Sequence, residues 1–237
     1  MDAHKVVAAA EWDAARKQLL AKEKEFTRLR DELSRQRREL PWERVEKSYV
    51  FDGPDGQQTL AQLFAARHQL VVFHFMFTPS WDEGCKSCSF WADNFDGVVV
   101  HLNHRDVSFA AVSRAPHSKL AAYKERMGWH FPWVSSAGNS FNFDYRVSFP
   151  AEELTKGEIT YNYRAQKTTM EDLPGFSVFY RDDGGAIFHT YSCYARGLDM
   201  LNGAYHLLDL VPKGRDEDAL SYSMEWLRRH DQYAPGK

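Results

Sequence analysis

Apolar runs and amphipathic stretches follow one another along this chain in an order that predicts its elements. From Glu11 to Glu39 no Gly or Pro interrupts a stretch rich in Ala, Leu, Glu, Lys and Arg, and Leu19, Phe26, Leu29 and Leu33 share one helical stripe. The pattern predicts an amphipathic helix, stopped by Pro41 and packed on the rest of the chain or on a second subunit. From Tyr49 the period changes. "YVFDGPDGQQTLAQLF" predicts a strand, a turn and a short helix. "LVVFHFMF" (Leu70 to Phe77) is almost wholly apolar, as a strand covered on both faces should be. "SFWADNFDGVVVHLN" predicts a helix and "FAAVS" a second buried strand. "SKLAAYKERMG" predicts a helix with Leu120, Tyr123 and Met127 inward and a stop at Gly128, and "FPWVSS" a third strand. Two runs flanking Asp-Asp-Gly-Gly in "FSVFYRDDGGAIFHTYS" predict a hairpin, and "LDMLNGAYHLLDL" a last helix.

Strands alternating with helices imply a parallel sheet. The expectation is an α/β protein: a helical extension over 1–44, then a domain over 45–237 built as βαβαβ, a hairpin and a helix. An insertion near 139–172 interrupts it, with "ITYNY" as its one strand-like run.

Composition narrows the function. The 237 residues, 43% hydrophobic and 14% aromatic, can form a sizeable core, and the net charge of -3 gives no pull toward nucleic acid or an anionic membrane. No apolar run reaches the ~20 residues of a membrane span. The N-terminal residues lack a secretory pattern, so a cytoplasmic protein is expected. There the three cysteines would stay reduced, and a CxxC would serve redox or metal chemistry before structure.

That CxxC is in "DEGCKSCSFWAD". Cys85 and Cys88 can be a redox couple, part of a metal site or buried small hydrophobes; the last suits the isolated Cys193 best. Cys85-x2-Cys88-x12-His101-x2-His104 approaches a Cys2His2 zinc pattern. If the chain from Cys88 to Val100 is helical, however, His101 lies ~20 Å away and four ligands cannot share one ion. A soft metal held by the two thiolates remains an alternative. No cofactor is expected. Ser80 and Glu83 have capping-box spacing, which would start the helix before Cys85.

The stretches "FHFMF...WDEGCKSCSFWADNFDG", "HLNHRDVSFAAVSRAP", "MGWHFPWVSS", "PGFSVFYRDDGG" and "HTYSCYARGLDMLNGAYHLLDLVPKGRDE" carry a family likeness. The chain resembles the thioredoxin-like domain-of-unknown-function family described as predicted dithiol-disulfide oxidoreductases. The resemblance implies a thioredoxin-like sandwich and thiol–disulfide exchange with a protein or small-molecule disulfide. The alternative is a non-catalytic binding protein of the same fold. It implies that Cys85 is the nucleophile at a helix start and Cys88 the resolver, with Lys86 favouring and Asp82 and Glu83 opposing the thiolate. By position it implies a cis peptide at Pro174 facing the CxxC, against a trans proline that merely starts a strand, and proton transfer by His74, against a satisfied core histidine. Apart from the resemblance, Arg114 at the C-terminal edge of the parallel strands can hold an anionic substrate or form a salt bridge, and Trp81 can line the mouth of the site. A peroxiredoxin-type site would place Pro seven residues and Thr or Ser three residues before the nucleophile; Thr78 and Asp82 stand there, which disfavours peroxidase chemistry. Partners other than the disulfide are not expected, apart from a possible homodimer.

Overall fold

Residues 4–234 are described by a computed structural model, and the chain divides into a unit ending at Pro41 and another beginning at Trp42. The first unit is one helix, α1 (Ala9–Arg38), ~45 Å long at 1.5 Å per residue. None of its residues is buried, and Leu19, Phe26, Leu29 and Leu33 are exposed. Ion pairs such as Arg16–Glu23 (2.8 Å) and Arg35–Glu32 (2.6 Å) lace its surface.

The second unit begins with β1 (Glu43–Arg44), which pairs antiparallel with the last strand of the chain. There follow β2 (Val50–Gly53), β3 (Gly56–Thr59), α2 (Leu60–Leu63), β4 (Gln69–His74), α3 (Lys86–Ala92), α4 (Asp96–His104), β5 (Val107–Ser113), α5 (His117–Arg126) and β6 (Trp133–Ser135). Next come α6 (Phe141–Asp144), α7 (Ala151–Lys156) and a small hairpin of β7 (Ile159–Tyr161) and β8 (Arg164–Gln166). The chain closes with β9 (Gly175–Arg181), β10 (Ile187–Tyr194), a 3-10 helix (Ala195–Leu201), α8 (Gly203–Leu208) and a tail.

Eight strands form one sheet in the order β1-β10-β9-β4-β5-β6-β2-β3. β4, β5 and β6 are parallel and joined by helices, while β9 and β10 form the antiparallel hairpin beside β4. This is the thioredoxin-like arrangement. Leu70 to Phe73 of β4 are all apolar because both faces of the strand are covered. Phe73 enters a cluster with Trp91, Phe95, Phe109 and Phe176. Leu70 and Val72 point the other way, into a cluster with Phe51, Leu60 and Phe141. Each wholly buried Phe contributes roughly 2–3 kcal/mol.

The structure departs from the sequence pattern in five places. β4 ends at His74, although Phe75 N–H still donates to Val112 O (3.0 Å) and Ala115 N–H to Phe77 O (2.8 Å). "GQQT" after the turn is a strand of its own, β3, followed by α2 with a Thr59–Gln62 capping box. The helix expected after the CxxC is two helices. Asn94 turns its amide back onto the Phe90 and Trp91 carbonyls (2.8 and 3.3 Å), and Asp96 accepts the N–H groups of His130 and Phe131 (2.7 and 2.9 Å). The last helix is broken too: Asn202 caps α8 by accepting from Tyr205 N–H (3.1 Å). The insertion is ordered, with α6, α7 and the β7–β8 hairpin and a small core of Val147, Phe149, Ile159, Tyr161 and Tyr194.

Candidate active site

Beyond β4 the chain must cross from the sheet edge to the helix layer, and it does so in a tight loop. Trp81 N–H donates to Thr78 O (3.2 Å), and the Thr78 and Ser80 hydroxyls are 2.9 Å apart. Gly84 lies so close to Phe75 and Tyr123 that a Cβ would meet their rings at 2.7 and 2.8 Å. Ser80 therefore caps nothing. The helix starts at Lys86, and Cys85 occupies its N-cap. Met76 fixes both cysteines through its backbone: its carbonyl accepts Cys85 N–H (3.1 Å), and its N–H donates to Cys88 Sγ (3.4 Å).

The two thiols are unequal. Cys85 is half-buried and Cys88 is 3% exposed. The Cys88 side chain donates to the Cys85 sulfur, the backbone N–H groups of Cys88 and Ser87 add to it, and the charge of Arg229 assists. Against the opposing effect of burial they bring the Cys85 thiol down to about 6. Burial first, then the interaction with Cys85, push the Cys88 thiol well above its ordinary value.

The helping cation is not the expected one. Lys86 reaches Leu227 O (3.3 Å) instead. Arg229, in the tail, donates to Gly84 O (2.7 Å) and Tyr123 Oη (2.7 Å) and pairs with Glu83 (2.8 Å). Glu83 also pairs with Arg126, so its charge is compensated; Asp82 is exposed, with Lys119 3.8 Å away. Tyr123 Oη and Ser89 Oγ are 2.9 Å apart, and Ser89 donates to Cys85 O (2.9 Å), which ties the tail to the cysteine turn. Nothing in the local pattern of "SMEWLRRH" announces this role, because its partners are more than a hundred residues away.

The other expected residues fall as follows. Pro174 lines a cavity together with Cys88, but the peptide before it is trans. Leu173 N–H donates to Val147 O (2.8 Å) and the chain runs directly into β9, so no turn demands the cis form, and trans is the lower-energy isomer. Arg114 is engaged by Asp172 (2.8 Å) and Glu171 (3.0 Å) and holds the insertion against the end of β5. Trp81 is half-buried at the margin of the core, and the indole in the cavity wall is that of Trp91. His74, expected to move protons for the cysteines, projects to the opposite sheet face, against Phe141 and Tyr145. It heads a buried hydrogen-bonded chain: His74 Nε2 to Ser177 Oγ (2.8 Å), Ser177 Oγ to Ser192 Oγ (2.8 Å), Ser192 Oγ to His189 Nε2 (2.7 Å). Burial drives its pKa down to about 3. His101 lies on α4, across the helix break from Cys88. Among the described residues no group of three or more His, Cys, Asp or Glu is placed to hold a metal ion, and no helix is long and apolar enough to cross a membrane.

Sheet order, parallel strands joined by helices and a CxxC at a helix start define a thioredoxin-like fold. Within that class the chain belongs to the family described as "Bacterial protein of unknown function (DUF899)", whose profile matches residues 1–233. No curated protein matches it. Solved structures that resemble it include a peroxiredoxin Q of Xanthomonas campestris (15% identity, 71% of this chain and 98% of that one, TM-score 0.48). Another is the peroxidoxin BcpB of Mycobacterium tuberculosis (13% identity, 68% and 93%, TM-score 0.44).

Proposed function

We propose that the protein catalyses thiol–disulfide exchange, with Cys85 attacking and Cys88 resolving. The observation that carries this reading is the inequality of two adjacent thiols: a half-buried one at a helix N-cap with its pKa lowered to about 6, beside a buried one pushed upward. The Cys85 thiolate attacks one sulfur of a disulfide RSSR′. The S–S bond breaks, R′S⁻ leaves and is protonated, and a Cys85–SR mixed disulfide remains. The Cys88 thiol then gives up its proton and attacks Cys85 Sγ, releasing RS⁻, which takes up a proton. Two electrons pass from the dithiol to the substrate, yielding RSH, R′SH and a Cys85–Cys88 disulfide. A dithiol reductant closes the cycle.

Reaction of the reduced protein with 2-hydroxyethyl disulfide tests this. Two thiols per chain should be lost, peptide mapping should find Cys85 joined to Cys88, and dithiothreitol should restore both. Loss of no thiols, or a disulfide involving Cys193, would overturn the reading.

A further inference from the structure

Behind the cysteine turn is a cavity of about 280 Å³, with Cys88 forming part of its wall. Phe73, Met76, Trp91, Pro174, Leu198 and Met224 supply the rest of its apolar lining. Its charged groups, Arg196 and Asp199, neutralise one another across 2.8 Å. The walls are braced. Tyr161 Oη accepts Ala195 N–H (3.0 Å) and donates to Pro174 O (2.6 Å), while Trp91 Nε1 donates to Leu198 O (2.8 Å). Ala195, in the same wall, is held at a φ of 49°, a left-handed conformation that a non-glycine residue adopts at a cost. A braced apolar cavity cannot collapse, and left empty it forfeits the contacts a close-packed interior would have. It offers a polar ligand almost nothing to bond. At about 280 Å³ it has nearly twice the ~150 Å³ of an apolar cavity that takes up benzene, so it suits a fused bicyclic ring or a chain of about ten carbons.

We propose that this cavity receives the apolar arm of a low-molecular-weight disulfide whose sulfurs react at Cys85 and Cys88. The proposal rests on the exchange reading above and narrows its substrate class; the electron and proton balance is unchanged.

Two measurements separate the site from the reaction. Titration calorimetry with naphthalene, which is redox-inert, should show one site on the reduced protein. Met224→Trp and Leu198→Phe, which fill the cavity, should weaken binding at least tenfold; the tail position of Met224 leaves one informative variant if Leu198→Phe does not fold. In exchange assays normalised to dithiothreitol, diphenyl disulfide should be preferred over 2-hydroxyethyl disulfide, and Met224→Trp should lower that preference at least fivefold. Absence of naphthalene binding, equal binding by the filled variants, or an unchanged preference would overturn the proposal. Naphthalene binding without reduction of either disulfide would sink the exchange reading and with it the substrate assignment, leaving an apolar ligand site.

A different observation carries a second inference, confined to α1. Trp12, Leu19, Phe26 and Leu33 recur every seven residues, Leu40 continues the series just past the helix, and all five are exposed. With these as the first position of a heptad, the fourth positions are Ala15, Lys22, Leu29 and Gln36, so the first positions and Leu29 carry the apolar seam. The flanking positions are charged in a pattern. One side reads Glu11, Gln18, Glu25, Glu32; the other reads Arg16, Glu23, Arg30, Arg37. In a parallel two-stranded coil each residue of the first set meets the residue five further on in the partner. The pairs are then Glu11–Arg16, Glu25–Arg30 and Glu32–Arg37, with Gln18–Glu23 neutral to charge matching. In an antiparallel coil Glu would face Glu, and Arg would largely face Arg.

We infer that α1 pairs with α1 of a second copy of this chain as a parallel coiled coil. Sedimentation equilibrium of the full chain should give twice the mass of one chain, and Phe26→Asp should give one. The Glu25→Arg/Glu32→Arg variant and the Arg30→Glu/Arg37→Glu variant should each be monomeric alone and form a heterodimer when mixed. A monomeric wild type, a dimer that survives Phe26→Asp, or charge variants that fail to complement each other would overturn the inference.

Discussion

A single charge from the tail helps set the chemistry of Cys85. Because the thiolate is the reactive form, the rate of Cys85 alkylation should climb as pH rises through about 6 and level off above it. Arg229→Gln removes the guanidinium from the set of groups holding the thiolate, so its midpoint should rise, with Arg229→Lys falling between. Rate against pH, with labelled peptides mapped, checks both. His74 gives the opposite kind of pH effect, on stability. Its folded pKa of about 3 lies below the ordinary value of 6.5. Above 6.5 it is neutral in both states and contributes no slope. Between 6.5 and about 3 the unfolded chain takes a proton that the folded chain refuses, so folding weakens by up to ~1.4 kcal/mol per pH unit. His74→Phe should flatten that part of the acid denaturation profile. An unchanged slope in urea titrations from pH 6 to 4 would show that another group carries it.

At the scale of elements, the alternation of apolar runs revealed β4, β5, β6 and the β9–β10 hairpin, because each buries a face that its neighbours in sequence cannot cover. The helix breaks at Asp93–Phe95 and Asn202 were not legible. At the first, Asp96 meets His130 and Phe131 far along the chain, and at the second Gly203 N–H donates to the remote Asn94 (2.9 Å). Likewise the CxxC was legible, but not the residue that starts its helix. Ser80 and Glu83 have the right spacing for a cap, yet Gly84 packs so tightly under Phe75 and Tyr123 that the helix start is forced five residues later, onto Cys85. Gly84→Ala tests this. The added Cβ has no room, so the loop must shift, with an expected loss of about 1–3 kcal/mol and a slower, less acidic Cys85. Wild-type stability and wild-type alkylation in this variant would mean that the loop does not position the thiol.

For the second unit as a whole, the site is assembled from segments remote in sequence: the turn after β4, the insertion through Tyr161, the start of the 3-10 helix through Ala195, and the tail through Met224 and Arg229. This is why the fold was readable from period and turn chemistry while half of the site was not: long-range hydrogen bonds leave no trace in local sequence. The insertion, which looked like an interruption, braces the cavity wall, and Arg114, expected to hold substrate, holds the insertion. The proposed reaction makes one central claim, that Cys85 attacks and Cys88 resolves. Mass spectrometry of single-cysteine variants incubated with 2-hydroxyethyl disulfide tests it most directly. Cys88→Ser should accumulate a stable mixed disulfide mapped to Cys85, and Cys85→Ser should form none at Cys88 on the same timescale. Accumulation at Cys88 in the Cys85→Ser variant, with Cys85 inert in the other, would contradict the account.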